Sequence, residues 1–311
     1  MQEFNGKDLK NLFVPNKDSH KGQNGKLMII GGSKLFHAAS LWSLKVASRI
    51  VDMVFYSSVL ENNQIVQKVK EEFRDGIVIP RNRIKDYINE AECILIGPGL
   101  PRKNGEEEED DDTKVLTEDL LKNFPNKKWV IDGGSLQTID PNIIPRNAVL
   151  TPHVKEFEKL FNFQFPPLRQ GFAGRAISNF QPARHQLSPQ ATAGGSNSND
   201  QISKIAKIIQ EKAKEYKCVV LLKGEIDCVS DGKKTVWIKG GNAGMTKGGT
   251  GDVLAGLVAA LYCKNEAFLA ACASSFINKK AGEKLFEKVG LYFNASDLAD
   301  EIPKVMKDLV V

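Results

Sequence analysis

Cysteine is scarce in this chain. The five present (Cys93, Cys218, Cys228, Cys263 and Cys272) are odd in number, scattered, and mostly set inside apolar runs. That pattern argues against a disulfide framework or a zinc site, and it predicts reduced, buried thiols in a cytosolic protein. No apolar run approaches the length of a membrane span. The polar opening "MQEFNGKDLKNLF" lacks the apolar core of a secretory signal, so a cytoplasmic location is expected. Also missing is a basic stripe interleaved with aromatic residues, which argues against nucleic acid as a partner.

What is present is ordinary in bulk and uneven in detail. With 311 residues and 41% apolar content, the chain can build one large α/β domain with a sizeable core. The net charge is +5, but Glu106 to Asp112 is an unbroken acidic run, so the remainder carries +12. A basic remainder without a nucleic-acid stripe suits small anions such as nucleotides.

Short apolar runs ending in glycine or a polar turn recur at 26–32, 51–56, 93–99, 129–134, 148–153 and 218–224. Each reads as a buried strand. Helical patterns fall between and after them, at 38–50, 114–123, 154–161, 201–216, 252–262, 265–281 and 296–309. Strands apolar on both faces, alternating with helices, predict a three-layer α/β/α sandwich with a mostly parallel central sheet. Functional residues are then expected at the carboxyl ends of the strands. Two insertions interrupt the single domain 1–311: a charged loop at about 102–113, and a proline-rich stretch at about 164–200 whose second half reads as disorder. Phe165, Phe172 and Phe180 in that stretch would serve assembly if they packed on a neighbouring subunit.

The strongest local signal is "GGNAGMTKGGTGDVLAGLVAAL" (240–261), six glycines in twelve positions followed by an apolar helix. Glycine lets consecutive amides approach a ligand, and a helix start adds unpaired N–H groups and partial positive charge. Gly248, Gly249, Thr250 and Gly251 therefore read as an anion hole. The stretch is no Walker A loop, because Gly248 follows Lys247 where Ser or Thr is required; "GPGLPR" likewise fails the dinucleotide fingerprint, with Arg102 at the third glycine position. Asp252 has two readings: a partner for the helix dipole, or a general base toward a substrate hydroxyl. Beside a polyphosphate a further negative charge is costly, so the second reading leads: a phosphoryl-transfer site.

The stretch "GNAGMTKGGTGDVLAG" resembles the signature of ribokinase-like kinases, and more narrowly that of the ADP/ATP-dependent NAD(P)H-hydrate dehydratases. "SHKGQNGKLMIIGGS" (19–33), "ILIGPGL" (94–100), "LTPHVKEFEKLF" (150–161), "VVLLKGEID" (219–227) and "NASDLADEIP" (294–303) agree in order, so the resemblance spans nearly the whole chain. It implies phosphorylation of the C6 hydroxyl of hydrated NADH or NADPH by a nucleotide, followed by loss of phosphate to restore the dihydronicotinamide. Asp252 then matches the catalytic base, which also touches substrate. Lys223, Gly224 and Glu225, with Gly248, Gly249, Thr250 and Gly251, match the nucleotide positions. Ala39, Gly97, Gly99, His153 and Asn242 match positions lining the hydrated-cofactor site. ADP is slightly favoured over ATP as donor, and Mg²⁺ is expected with it. The length leaves no room for the epimerase domain often fused to this one, so a separate epimerase is expected in the same pathway. A homo-oligomer is expected too.

Several of these residues keep a structural alternative. His153 with Glu156 three residues on fits a helix cap as well as a ligand contact. Lys223 also reads as an exposed strand-end lysine. His20 and Lys21, with Gly22 and Gly25, also read as a turn into the first strand, and Ser33 after Gly31 and Gly32 as a turn or a phosphate contact. Three positions depart from the family pattern: Gly134 stands where a second acid is usual after Asp132, Ala38 where glycine is usual, and Pro101 where glycine often follows Leu100. Two other functions share part of the signal: a ribokinase-like kinase of a vitamin-precursor alcohol (hydroxymethylpyrimidine or hydroxyethylthiazole type), and a non-catalytic nucleotide-sensing module.

Overall fold

The structure, a computed structural model, describes residues 2–69, 75–102, 112–165 and 198–310. The apolar runs form the strands β1 (Gln2–Glu3), β2 (Lys26–Ile30), β3 (Met53–Ser57), β4 (Ile77–Val78), β5 (Cys93–Ile96), β6 (Lys128–Ile131), β7 (Val149–Leu150), β8 (Val219–Leu222), β9 (Asp227–Ser230) and β10 (Thr235–Ile238). They build one sheet in the order β1-β10-β9-β8-β7-β6-β5-β2-β3-β4. Pairing is parallel from β4 through β8, then antiparallel through β9 and β10.

The period of two along each strand explains the layers. Leu27, Ile29, Val54, Tyr56, Leu95 and Val130 face one core. Their sequence neighbours Met28, Ile30, Phe55, Ile94 and Ile131 face the other. The first core is covered by α1 (Ala38–Ala47), α8 (Thr250–Lys264), α9 (Ala267–Val289) and α10 (Ala295–Val310). Over the second lie α3 (Ile84–Glu90), α4 (Thr113–Asn123), α6 (Val154–Leu160) and α7 (Ser198–Tyr216), while α2 (Leu60–Val69) follows β3 and the short α5 (Gly133–Leu136) follows β6. Every residue of α8 from Val253 to Cys263 is buried. Helix α1 crosses it at Gly256, where a Cβ would stand 2.7 Å from the Ser43 backbone. The expected three-layer sandwich is the observed one.

The six expected strands are all present, and four were missed. β1 and β4 are two-residue strands, and β9 and β10 form a four-residue hairpin whose charged turn (Asp231 to Lys234) hides its alternation. All five cysteines are buried and unpaired. Among the described residues no helix is long and apolar enough to cross a membrane.

The insertions also need correction. Residues 103–111 and 166–197, with Phe172, Phe180 and the expected disorder, lie outside the described residues. Asp112, the last of the acidic run, is not loop but the N-cap of α4, accepting from the amides of Lys114 (2.9 Å) and Val115 (3.2 Å). Phe165 is not offered to a neighbour: its ring lies 5.1 Å from Phe157 and 5.4 Å from Phe163, inside the second core.

Candidate active site

Five loops at the carboxyl ends of β2, β5, β6, β7 and β8 carry Gly31–Ser33, Gly97–Gly99, Asp132, Thr151–His153 and Lys223. Close packing brings them together. A Cβ on Gly97 would fall 1.8 Å from the Asp132 carbonyl oxygen, and one on Gly99 would fall 3.0 Å from the Ala39 Cβ and 3.1 Å from the Gly32 Cα. Gly99 is thus packed close to Ala39 and Gly32, and Gly97 against the Asp132 backbone. Gly134, in place of a second acid, is crowded in the same way: a Cβ there would stand 2.2 Å from the Leu100 carbonyl oxygen. Backbone fills the space an acidic side chain would need.

Asp132 and Lys223 form the centre. The Lys223 ammonium donates to Asp132 Oδ1 at 2.7 Å, and the Thr151 hydroxyl donates to the same oxygen at 2.7 Å. The Asp132 side chain is only 4% exposed and that of Lys223 17%, so this is no free strand-end lysine. Burial alone would lower the Lys223 pKa, but the carboxylates of Asp132 and Glu156 hold it above its ordinary value. The Lys223 amide donates to the Pro152 carbonyl at 2.8 Å, which sets His153 beside Lys223 in a parallel bridge.

His153 caps α6. Its Nδ1 accepts the Glu156 amide at 3.2 Å, and Glu156 Oε2 accepts the His153 amide at 3.0 Å, a reciprocal capping box. The cap alternative is thus realised, and it leaves the proton on Nε2, which faces Glu156 Oε1 at 3.4 Å. Burial lowers the His153 pKa and keeps the ring neutral, although Glu156 pulls the other way. Its half-exposed side chain still has a face open beyond the cap.

The glycine stretch enters from the other side. Gly249 precedes α8 at φ +94°, and a Cβ there would meet Trp42 at 2.3 Å, so only glycine fits. The Thr250 hydroxyl pins the loop, donating to the carbonyls of Met245 (2.6 Å) and Lys247 (2.9 Å). Lys247 turns away, its ammonium on the Leu291 carbonyl at 2.6 Å. Gly248 is open: a Cβ there would meet nothing within 4 Å. The amides of Gly248, Gly249 and Gly251 donate to no protein acceptor among the described residues. A Cβ on Gly251 would stand 3.6 Å from the Lys223 ammonium, which joins this turn to the Asp132–Lys223 pair.

Asp252 is partly buried in the first turn of α8, whose position is fixed by the Ser43 hydroxyl donating to the Asp252 carbonyl at 2.8 Å. Burial and then the Asp132 charge push its carboxyl up to about 7, with Lys223 opposing. A carboxyl with proton affinity near neutrality is what a general base requires, and the bare helix-dipole reading does not explain it.

Sequence reasoning missed the supports. Asn242 donates to the Gly282 carbonyl at 2.7 Å and accepts the Gly244 amide at 2.9 Å. Gly224 is held by Asp227, which accepts its amide at 2.8 Å, and Lys279 donates to the Glu225 carbonyl at 2.9 Å. Lys279 sits in an otherwise ordinary helical pattern, so no local signal marks it. The "HKG" turn lies at the start of β2, away from these loops. There Asp52 accepts the amides of Gly22 (2.8 Å) and Asn24 (3.0 Å), so the turn reading of His20 and Lys21 holds, while Ser33 accepts the Phe36 amide at 3.1 Å within its own turn.

Sheet order, layers and a glycine-rich turn before a buried helix are those of a ribokinase-like α/β fold. The Bacillus subtilis ADP/ATP-dependent NAD(P)H-hydrate dehydratase, co-crystallized with ATP/Mg²⁺, superposes with a TM-score of 0.75 at 18% identity, covering 99% of this chain and 98% of that one. A profile of the NAD(P)H-hydrate dehydratase family matches residues 27–304, and the chain belongs to that family. It is 32% identical to the ADP-dependent (S)-NAD(P)H-hydrate dehydratase of Nitrosopumilus maritimus, over 96% of this chain and 95% of that protein. It is 33% identical to the bifunctional NAD(P)H-hydrate repair enzyme Nnr of Methanocaldococcus jannaschii over 96% of this chain, and it spans about half (52%) of that protein's length.

Proposed function

We propose that this chain is an enzyme that dehydrates (S)-NAD(P)H-hydrate to NAD(P)H at the expense of a nucleotide. Carrying the proposal is one observation: a carboxyl pushed up to about 7, Asp252, stands beside an open glycine turn and a fixed ammonium. The amides of Gly248, Gly249 and Gly251 face the nucleotide phosphates, with Thr250 pinning the turn and Lys223, Gly224 and Glu225 on the opposite side. Ala39, Gly97, Gly99, His153 and Asn242 line the hydrated nicotinamide. Asp252 takes the proton of the C6 hydroxyl as its oxygen attacks the terminal phosphorus, while the bond from that phosphorus to the nucleotide's bridging oxygen breaks and the nucleotide leaves one phosphate shorter. The C6–O bond then breaks with its electrons going to phosphate, and the proton on the adjacent C5 passes to water, its C–H electrons forming the C5–C6 double bond of the dihydronicotinamide.

ADP is slightly favoured over ATP, in keeping with the ADP-dependent relative that matches end to end. Mg²⁺ would arrive on the nucleotide phosphates, where it neutralises charge. The open Gly248 and the described carboxylates suit that, since Mg²⁺ takes only one or two carboxylates and keeps water and phosphate as further ligands. The bifunctional relatives hold about as much chain again outside the match, in keeping with an epimerase acting in the same pathway. A cytoplasmic homo-oligomer completes the reading. The family match favours it over a vitamin-precursor kinase and over a nucleotide-sensing module.

The test follows dihydronicotinamide absorbance after mixing NADH-hydrate or NADPH-hydrate with Mg²⁺ and either ADP or ATP. Absorbance should rise with at least one nucleotide and stay flat without any. No rise with either overturns the proposal.

A further inference from the structure

One turn of α9 reaches both halves of the site. Lys279 is only 5% exposed, and its ammonium donates to the carbonyls of Gly224 (3.2 Å) and Glu225 (2.9 Å). It lies 3.5 Å from Asp227 Oδ1, the oxygen that accepts the Gly224 amide, while Asp227 Oδ2 accepts the Ser275 hydroxyl at 2.7 Å. Gly224 is therefore gripped at its N–H and its C=O by one buried ion pair. One helical turn further on, Glu283 accepts the Gly241 amide at 3.0 Å, and the Gly282 carbonyl accepts from Asn242 at 2.7 Å. Gly282 also packs so closely on Met245 that a Cβ would stand 2.3 Å from its sulfur. The same turn of helix thus holds the loop after β8 and the chain that leads into Gly248–Gly251.

Burying a lysine and an aspartate costs desolvation that mutual attraction seldom repays, and hydrophobic replacements of equal volume often fold as well or better. Stability alone gives little reason to keep such a pair. Fixed geometry of two backbone segments does.

We infer that Lys279, with Asp227 and Glu283, is a positioning residue for the nucleotide: it sets the distance between the Gly224–Glu225 turn and the glycine turn, and so the fit of the nucleotide between them. The inference rests on the reading that these two turns hold the nucleotide. Lys279 reaches two turn carbonyls and the Asp227 carboxylate, so it acts through the turns and not on the reacting atoms.

The test is calorimetric binding of ADP and ATP with Mg²⁺ to the full chain and to Lys279→Met, Glu283→Ala and Ile277→Val. Ile277→Val removes buried volume from the same helix, in the first core. Lys279→Met should weaken nucleotide binding about tenfold while the KM for NAD(P)H-hydrate moves by less than about twofold. Glu283→Ala should weaken it in the same sense. Ile277→Val should lower Tm and leave nucleotide affinity alone. If the unaltered chain binds neither nucleotide, the functional reading fails and not the brace. If it binds, and both Lys279→Met and Glu283→Ala match its affinity, the brace is overturned. Should Lys279→Met not fold, Glu283→Ala decides alone, since its side chain lies at the rim.

Discussion

Lys223 and Asp132 are 91 residues apart in sequence, yet the ammonium of one rests 2.7 Å from the carboxylate of the other, directly against Gly251. The pair sets the electrostatics of Asp252. After burial, the Asp132 charge is the largest influence raising the Asp252 carboxyl, and the Lys223 charge opposes it. A general base works only when ionised, so kcat/KM should fall on the acid side of about pH 7. Asp132→Asn removes a like charge and lowers the proton affinity of Asp252, which should move that acid limb to lower pH. Rate–pH profiles of the two proteins check this; an unmoved limb would detach Asp132 from Asp252.

Stability should depend on pH through the same group. The Asp252 carboxyl is pushed from 3.8 to about 7 on folding, so its protonated form is the one the fold favours. Its contribution is fully present below about pH 3.8 and is lost as pH rises through about 7. Asp252→Asn carries no such charge. It should therefore be more stable than the parent at pH 8, by on the order of 1–3 kcal/mol once partial solvent screening is allowed for, and melt higher. The gain should shrink toward pH 5. Melting curves at several pH values test the sign, and a variant less stable at pH 8 would contradict it.

Much of this was legible locally. The layers follow from apolar runs whose alternate residues face two cores, and the loops at strand ends follow from glycine or aspartate closing each run. Asp252 and the glycine turn are contiguous, so one stretch of chain displays them together. Illegible were relationships that only packing creates. Lys223 read equally well as a surface lysine because Asp132 and Thr151 come from other strands, and Lys279 gave no sign because its partners lie in the loop after β8. The "HKG" stretch was legible as a turn into β2, and Asp52, which accepts its two amides, is the partner that sequence alone does not show.

Two adjacent glycines should answer differently to alanine. At Gly249, φ is +94° and a Cβ would meet the Trp42 ring at 2.3 Å, so strain and overpacking together should cost about 2–4 kcal/mol. At Gly248 a Cβ meets nothing within 4 Å. Gly248→Ala should keep its Tm but lose nucleotide affinity, because the methyl group stands where a phosphate would approach the amide. Thermal melts and calorimetry on both variants decide; equal Tm losses would show that the open space at Gly248 is not reserved for a ligand.

Asp252→Asn should abolish turnover and spare nucleotide binding. Asparagine keeps the size of aspartate and its place in the first turn of α8, but it cannot accept the hydroxyl proton. Loss of a general base costs on the order of 10²–10⁴ in rate. The glycine turn is backbone, fixed by Thr250 on the Met245 and Lys247 carbonyls and by Ser43 on the Asp252 carbonyl, and none of these contacts uses the Asp252 side chain. Phosphate binding should therefore persist, and removing a nearby negative charge should tighten it slightly. Turnover by dihydronicotinamide absorbance and nucleotide affinity by calorimetry, on one preparation, separate the two effects. Near-parental turnover would leave the carboxylate as a partner of the helix dipole only, and another group would have to take the proton.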